Sequence, residues 1–280
     1  MLLAVGTFSL MDAGLKALSA SYPAVQVAAL RGLASLPIIV VWVATTAGFR
    51  NLVRVRFPLH LFRGLVSILM LSTFAYGLRY LPLSETYAIF FVAPLLITAF
   101  AALMLRERVE WQRWAAIAIG LAGVLIVLRP TGQGVVSLAG LAILICAIGY
   151  ALSAVTVRIL ARTDSTQSMV FWQMTVSAAG STLLALPRWV PVESRHWIVI
   201  VAVAITGSLG QWALTEAFRR AEASFIAPFE YTALAWGVAL DWVFWQALPG
   251  RSTFLGAAVI IACGIYLIRR ERVHVEAEHP

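Results

Sequence analysis

Apolar runs, each close to the roughly 20 residues a helix needs to cross a bilayer, follow one another along almost the whole chain. They predict ten spans, at 2–18, 24–46, 58–79, 84–105, 112–128, 137–160, 166–186, 197–218, 223–247 and 252–269. Turn residues or charges stand between them, among them Tyr22-Pro23, Arg56-Phe57-Pro58, Leu81-Pro82, the Arg106 to Arg113 cluster, Arg129-Pro130-Thr131-Gly132, Asp164, Pro187 to Arg195 and Pro249-Gly250-Arg251. Such residues punctuate helices rather than continue them. The runs are long and continuous, whereas a membrane barrel would show short alternating segments. The first run lacks a basic leader and an A-x-A-like cleavage site, so it reads as a span and not as a removable signal. The expected fold is an all-α membrane protein of ten transmembrane helices.

Composition sharpens this reading. The residues are 61% hydrophobic and 12% charged, and the mean hydropathy is +0.88. A soluble domain of that composition would leave too much apolar surface in water, so the lipid bilayer is the expected partner. The net charge of +8 does not point to nucleic acid, because the cations sit between apolar runs and not along one face. Counted with both termini cytoplasmic, fourteen of the 21 cations fall on inside segments, Arg63 among them, six on outside segments, Lys16 and Arg79 among them, and Arg31 lies within a span. That bias predicts a multi-pass protein of the cell inner membrane with both ends inside and residues 271–280 as a cytoplasmic tail. Cys146 and Cys263 lie deep in apolar runs and read as small hydrophobes, with no disulfide expected.

The two halves resemble each other. At an offset of 140, AYGLRYLPLSETYA from Ala75 lies over TEAFRRAEASFIAP from Thr215, which matches Arg79 with Arg219 and Ser84 with Ser224. Gly123 matches Gly264 at 141, and Lys16 matches Arg158 at 142. The expected units are 1–130 and 131–270. With five helices each, an odd number, the second must enter the bilayer inverted relative to the first, a plan that puts a solute site near the midplane between halves.

With the repeat in hand, the chain resembles the EamA-type branch of the drug/metabolite transporter superfamily over essentially its whole length. AYGLRYLPLSETYAIFFVAPLL, the LRERVEWQRW exit with Glu107 and the small-residue span ending GLAGVLIVLRP carry the resemblance. AFRRAEASFIAPFEYTALAW and FLGAAVIIACGIYLI repeat that order in the second half. The second half departs from it at Ala247, which stands where the first has Glu107, and at Leu234, which stands where it has Pro94. The resemblance implies a secondary transporter of a small-molecule substrate, with amino-acid export, aromatic ones included, as the expected activity. It also implies that spans one, three and four, with six, eight and nine, enclose the solute. No cofactor and no metal is expected, and the chain carries no G-x-x-x-x-G-K-[ST] loop for a nucleotide.

A charge inside a span is costly, so each intramembrane ion requires an explanation. Asp12 and Lys16 are four apart on one helix face and either neutralise each other or meet solute. Asp12, Arg31 and Asp241 fall at similar depths at about 1.5 Å per residue, so an Arg31–acid pair could serve as a static brace or as a gate latch. Glu230 has no cation at helical spacing and is the candidate for exchanging a proton or binding a solute amine. Tyr76, Tyr80, Tyr87, Tyr150, Tyr231, Trp172, Trp212 and Trp236 could line a cavity for an amphipathic solute or simply pack between helices. Trp42, Trp111, Trp114, Trp189 and Trp197 fall at span ends as interfacial anchors. Pro94 and Pro228 lie inside spans four and nine and predict kinks or hinges, and Pro37 shares that position in span two. Ala116 and Gly120, like Ala258 and Ala262, suit close helix packing, with a homodimer contact as the alternative.

Two other classes compete with a carrier. An intramembrane enzyme would need a metal or nucleophile constellation, yet His60, His196, His274 and His279 all fall at span ends, in loops or in the tail, and no H-E-x-x-H is present. A channel or a structural membrane protein also tolerates few charges, and flux measurements separate both from a carrier.

Overall fold

A computed structural model describes residues 1–46, 48, 52–53, 55–105, 111, 114–115, 118–119, 122–123, 137–220, 229–251, 253–262 and 265–266. Among the described residues every regular element is helical. In chain order these are α1 (Leu2–Ser19), α2 (Ala24–Thr46), α3 (Phe57–Tyr80), α4 (Leu83–Phe90) and α5 (Ala93–Leu105). They are followed by α6 (Leu138–Leu160), α7 (Thr166–Ala185), α8 (Trp197–Arg220), α9 (Thr232–Trp245) and α10 (Thr253–Ala262). Among the described residues six helices are long and apolar enough to cross a membrane, which makes this a multi-pass membrane protein. Most of predicted span five, with Ala116 and Gly120, lies outside the described residues, as do Pro228 and Cys263.

Lipid, not water, sets the periodicity of these helices. On α3, Leu61, Leu65 and Leu69 form an exposed stripe at four-residue spacing. The opposite face buries His60, Arg63, Ser67, Leu71 and Phe74. The polar groups point inward because hydrocarbon offers them no hydrogen bonds. Local signals fix the ends: Ser137 and Ser165 accept the amide hydrogens of Gly140 and Ser168 at the starts of α6 and α7, and Pro58 sits in the first turn of α3, where its missing donor does no harm.

Span four is expected as one helix and is two. The α4 helix ends at Phe90, a turn covers Phe91 and Val92, and α5 begins at Ala93. Pro94 sits at the second position of α5, where its ring would clash with the preceding turn of a continuous helix. Pro37 behaves otherwise, since α2 runs through it from Ala24 to Thr46.

The bundle is built from pairings between halves. α1 packs on α8, α2 on α7 and α3 on α6, with α4 against α9, α5 against α6 and α1 against α9. Exchanging the halves, so that α1 trades with α6, α2 with α7, α3 with α8 and the α4–α5 pair with α9, turns this set of pairings into itself. The α2–α7 seam is the tightest: a Cβ on Gly32 would lie 2.8 Å from the Cα of Ala178, so only a glycine there lets the backbones meet.

Candidate functional site

A cavity of about 210 Å³ lies among α1 to α4 and α6 to α8, with Pro94 of α5, Ala233 of α9 and Glu230 just ahead of α9 also in its wall. Asp12 reaches it from α1 and Tyr87 from α4, with the Tyr87 hydroxyl donating to Asp12 Oδ2 at 2.8 Å. Also lining it, the Tyr150 hydroxyl of α6 donates to Glu230 Oε1 at 3.0 Å. The two pairs are counterparts under exchange of the halves, with the roles reversed: acid on α1 and tyrosine on α4, tyrosine on α6 and acid ahead of α9. Phe90 ties the pairs together through a ring contact with Tyr150 at 5.2 Å and one with Phe74 at 6.3 Å.

Two buried arginines face the same space. Arg31 on α2 is 6% exposed and donates from Nε to Met11 Sδ at 3.1 Å. Arg63 on α3 is 1% exposed and donates to Gln173 Oε1 at 2.6 Å and to the Met169 carbonyl at 3.4 Å. Ser9, Ser67, Ser153, Gln211 and Thr215 complete the polar lining, and Phe8, Phe74, Phe90 and Phe91 the aromatic one.

Beyond one end of the cavity lies a network centred on Asp241. This fully buried carboxylate accepts from Lys16 Nζ at 3.2 Å, from the Leu83 amide at 3.0 Å, and from the amide and hydroxyl of Ser84, both at 2.8 Å. Lys16 also donates to the Leu81 carbonyl at 3.1 Å and lies 4.7 Å from the Trp245 ring. Beside it, the 186–196 connection is fastened to the α1–α2 turn: Gln26 exchanges two hydrogen bonds with the Val190 backbone, and the Tyr22 hydroxyl meets His196 Nδ1 at 2.7 Å. The cavity extends toward the opposite end, where Met1, Val157 and Leu214 line it. At that end Asp164, in the α6–α7 turn, accepts from His60 Nε2 at 2.7 Å, Thr163 Oγ1 at 2.7 Å and the Arg56 amide at 3.3 Å. Burial alone would raise the Asp164 carboxyl, but these hydrogen bonds hold it below its ordinary range.

Of the residues singled out from the sequence, Asp12, Arg31, Tyr87, Pro94, Tyr150 and Glu230 line the cavity. Tyr231 stacks edge-on against Phe91 at 5.1 Å. The other aromatic candidates lie outside it. Tyr80 is 59% exposed and stacks on Tyr76, Trp172 donates to the Leu52 carbonyl at 3.0 Å, and Trp212 and Trp236 are exposed on the bundle surface. The ion pairs also differ from expectation. Lys16 neutralises Asp241 rather than Asp12, because its side chain reaches along the bundle to the start of α4. Arg31 has no acid within 4.0 Å among the described residues, and its attraction to Asp12 acts over a longer range than an ion-pair contact. Arg63, counted as an inside-loop cation, is instead buried in the cavity wall. The overlooked signal was its spacing with Ser67 and Phe74 on one face of α3.

A helical bundle around a largely apolar, aromatic-lined cavity that holds a few buried charged and polar groups is the architecture of a membrane transporter. A family profile described as "EamA-like transporter family" matches residues 1–129 and again 137–270, and the chain belongs to that family. The chain is 27% identical over 275 residues to a pseudopaline exporter, CntI, of Pseudomonas aeruginosa strain UCBPP-PA14, covering 96% of this chain and 95% of the relative. It is 30% identical over 229 residues to a riboflavin transporter of Vibrio cholerae, covering 81% and 76%. It is 26% identical over 220 residues to an S-adenosylmethionine uptake transporter of Rickettsia prowazekii, covering 79% and 74%. One solved crystal structure shares the fold at a TM-score of 0.65 and 22% identity, with 96% of each chain covered.

Proposed function

We propose that this protein is a secondary transporter that exports amino acids and amino-acid-like metabolites, aromatic ones included, across the inner membrane by alternating access. Its two halves act as inverted five-helix repeats, and both termini face the cytoplasm. The observation that carries this reading is a cavity in which two carboxylates and two arginines face a small, ring-lined space, with the Lys16–Asp241 network beyond one end. Opposite charges within reach of one another and of aromatic faces suit a zwitterion with an apolar side chain. The self-mapping set of helix pairings supports a repeat whose halves rock against each other about that space. With the amino terminus inside, the Lys16–Asp241 end is the outer one, and the cavity takes its solute from the cytoplasm. A continuous pore is disfavoured by the buried network beyond that end.

Counterflow of labelled amino acids in proteoliposomes tests the reading. Flux saturates with solute and is competed by unlabelled amino acid. Glu230→Gln, which keeps the size of the side chain, lowers flux at least about ten-fold, equivalent to about 1.4 kcal/mol, and flattens its dependence on pH across roughly 5.5 to 8.5. Its unfolding temperature stays within a few degrees of the wild type. Normal flux with an unchanged pH profile in a stable Glu230→Gln protein would remove Glu230 from the transport cycle.

A further inference from the structure

An arginine guanidinium stays charged inside a membrane protein, and burying that charge away from water is costly. Arg31 and Arg63 carry that cost without a contact ion pair, although Arg31 lies near enough to Asp12 to feel its charge. Among the described residues neither has a carboxylate within 4.0 Å. Arg31, 6% exposed, donates only to a thioether sulfur, a weak acceptor, and its guanidinium makes no other hydrogen bond among the described residues. Arg63, 1% exposed, uses neutral acceptors on α7, and its Nε has no partner there. The two acids in the same cavity hydrogen-bond to tyrosines and not to the arginines. The protein therefore holds fixed cations and acids in one space of about 210 Å³ with no contact ion pair between them among the described residues.

From this arrangement we infer that Arg31 and Arg63 form a carboxylate clasp, so that a free carboxylate is the obligatory recognition group of the solute and the ammonium is the secondary one. This rests on the transporter reading and sharpens it. An arginine fork pairs with a carboxylate through two parallel charge-assisted hydrogen bonds, and the unused donors of Arg31 and Arg63 Nε are of that kind. The solute carboxylate supplies the missing counter-charge, which a neutral amide or a bare amine does not. The acids Asp12 and Glu230 then face the opposite end of the solute. Their presence in the same small space opposes a compact polyanion such as phosphate, which would bring its charge up against both.

Binding to the full-length protein in detergent, followed by thermal stabilisation and confirmed by calorimetric titration, tests the clasp. The probes are phenylalanine, phenylalaninamide, phenethylamine, 3-phenylpropionate, succinate and inorganic phosphate. The clasp predicts that phenylalanine binds at least about ten-fold more tightly than its amide or phenethylamine, that 3-phenylpropionate retains measurable binding, and that phosphate does not bind. Arg31→Gln, which breaks no contact ion pair, collapses the preference for phenylalanine over its amide, and Arg31→Lys restores part of it. Arg63→Gln does the same where it folds; because Arg63 also bonds α7, the decision rests on Arg31 and on the wild-type panel. Amide and amine binding as tightly as the acid, or Arg31→Gln keeping the wild-type preference, overturns the clasp, as does a failure of every carboxylate probe to bind. Succinate or 3-phenylpropionate binding through Arg31 while phenylalanine does not would retain the clasp and overturn the amino-acid reading.

Discussion

Pro82 precedes Leu83, so α4 begins without a side-chain cap of its own, and its first amides are served from another helix. Asp241 on α9 takes the Leu83 and Ser84 amides, which places a negative charge at the positive end of the α4 dipole. The same carboxylate neutralises Lys16. Removing one partner of a buried pair leaves the other charge uncompensated, a loss of about 3 to 5 kcal/mol. Asp241→Asn is therefore expected to lower the unfolding temperature in detergent strongly, and Lys16→Met combined with Asp241→Asn to recover part of the loss. An Asp241→Asn protein as stable as the wild type would show that the network is not what holds the α1, α4 and α9 ends together. Little of this was legible in the sequence. The charges themselves were visible, and so was the need to explain them, but Lys16 was four residues from Asp12 and 225 from Asp241. Local spacing favoured the wrong acid. Arg63 was misread for a related reason: six residues into a span, it had the appearance of an end cation, and only the direction of its helix face separates the cavity from the headgroups.

At the scale of elements the apolar runs were enough to place most helices, because in hydrocarbon every backbone group must be satisfied within the segment. Spans one, two, three, six, seven and eight correspond closely to α1, α2, α3, α6, α7 and α8. The division of span four into α4 and α5 was foreshadowed by Pro94, whereas Pro37 shows that a proline alone does not decide a break. Aromatic candidates fared unevenly, since Tyr87 and Tyr150 turn inward but Tyr80, Trp212 and Trp236 turn outward. A single sequence carries no signal for that choice when lipid and cavity both accept an aromatic ring. The α2–α7 seam yields a sharper expectation. Gly32→Ala pushes a methyl group into the backbone of Ala178 and costs about 1 to 3 kcal/mol of stability. Leu33→Ala, on the exposed face beside it, costs less than about 0.5 kcal/mol. Thermal unfolding of the two variants checks the contrast, and equal losses would mean that the helices can slide apart at the seam without penalty.

At the scale of the whole molecule, we propose that an internal repeat organises the bundle. Weak identities at offsets of 140 to 142 have their counterpart in helix pairings that map onto themselves, and in two tyrosine–carboxylate pairs with exchanged roles. Substrate chemistry was beyond the reach of those identities, because the relatives that share the family carry different solutes. The central claim is that the cavity opens to one side of the membrane at a time. It is tested most directly with Ser153→Cys, whose wild-type side chain is buried in the cavity wall, in a protein with Cys146 and Cys263 replaced by alanine. Labelling with a membrane-impermeant maleimide is measured from each face, with and without amino acid. The account predicts reaction from the cytoplasmic face alone in the absence of solute and growing reaction from the outer face when an amino-acid gradient drives the cycle. Equal reaction from both faces, unaffected by solute, is the behaviour of an open pore and would contradict it.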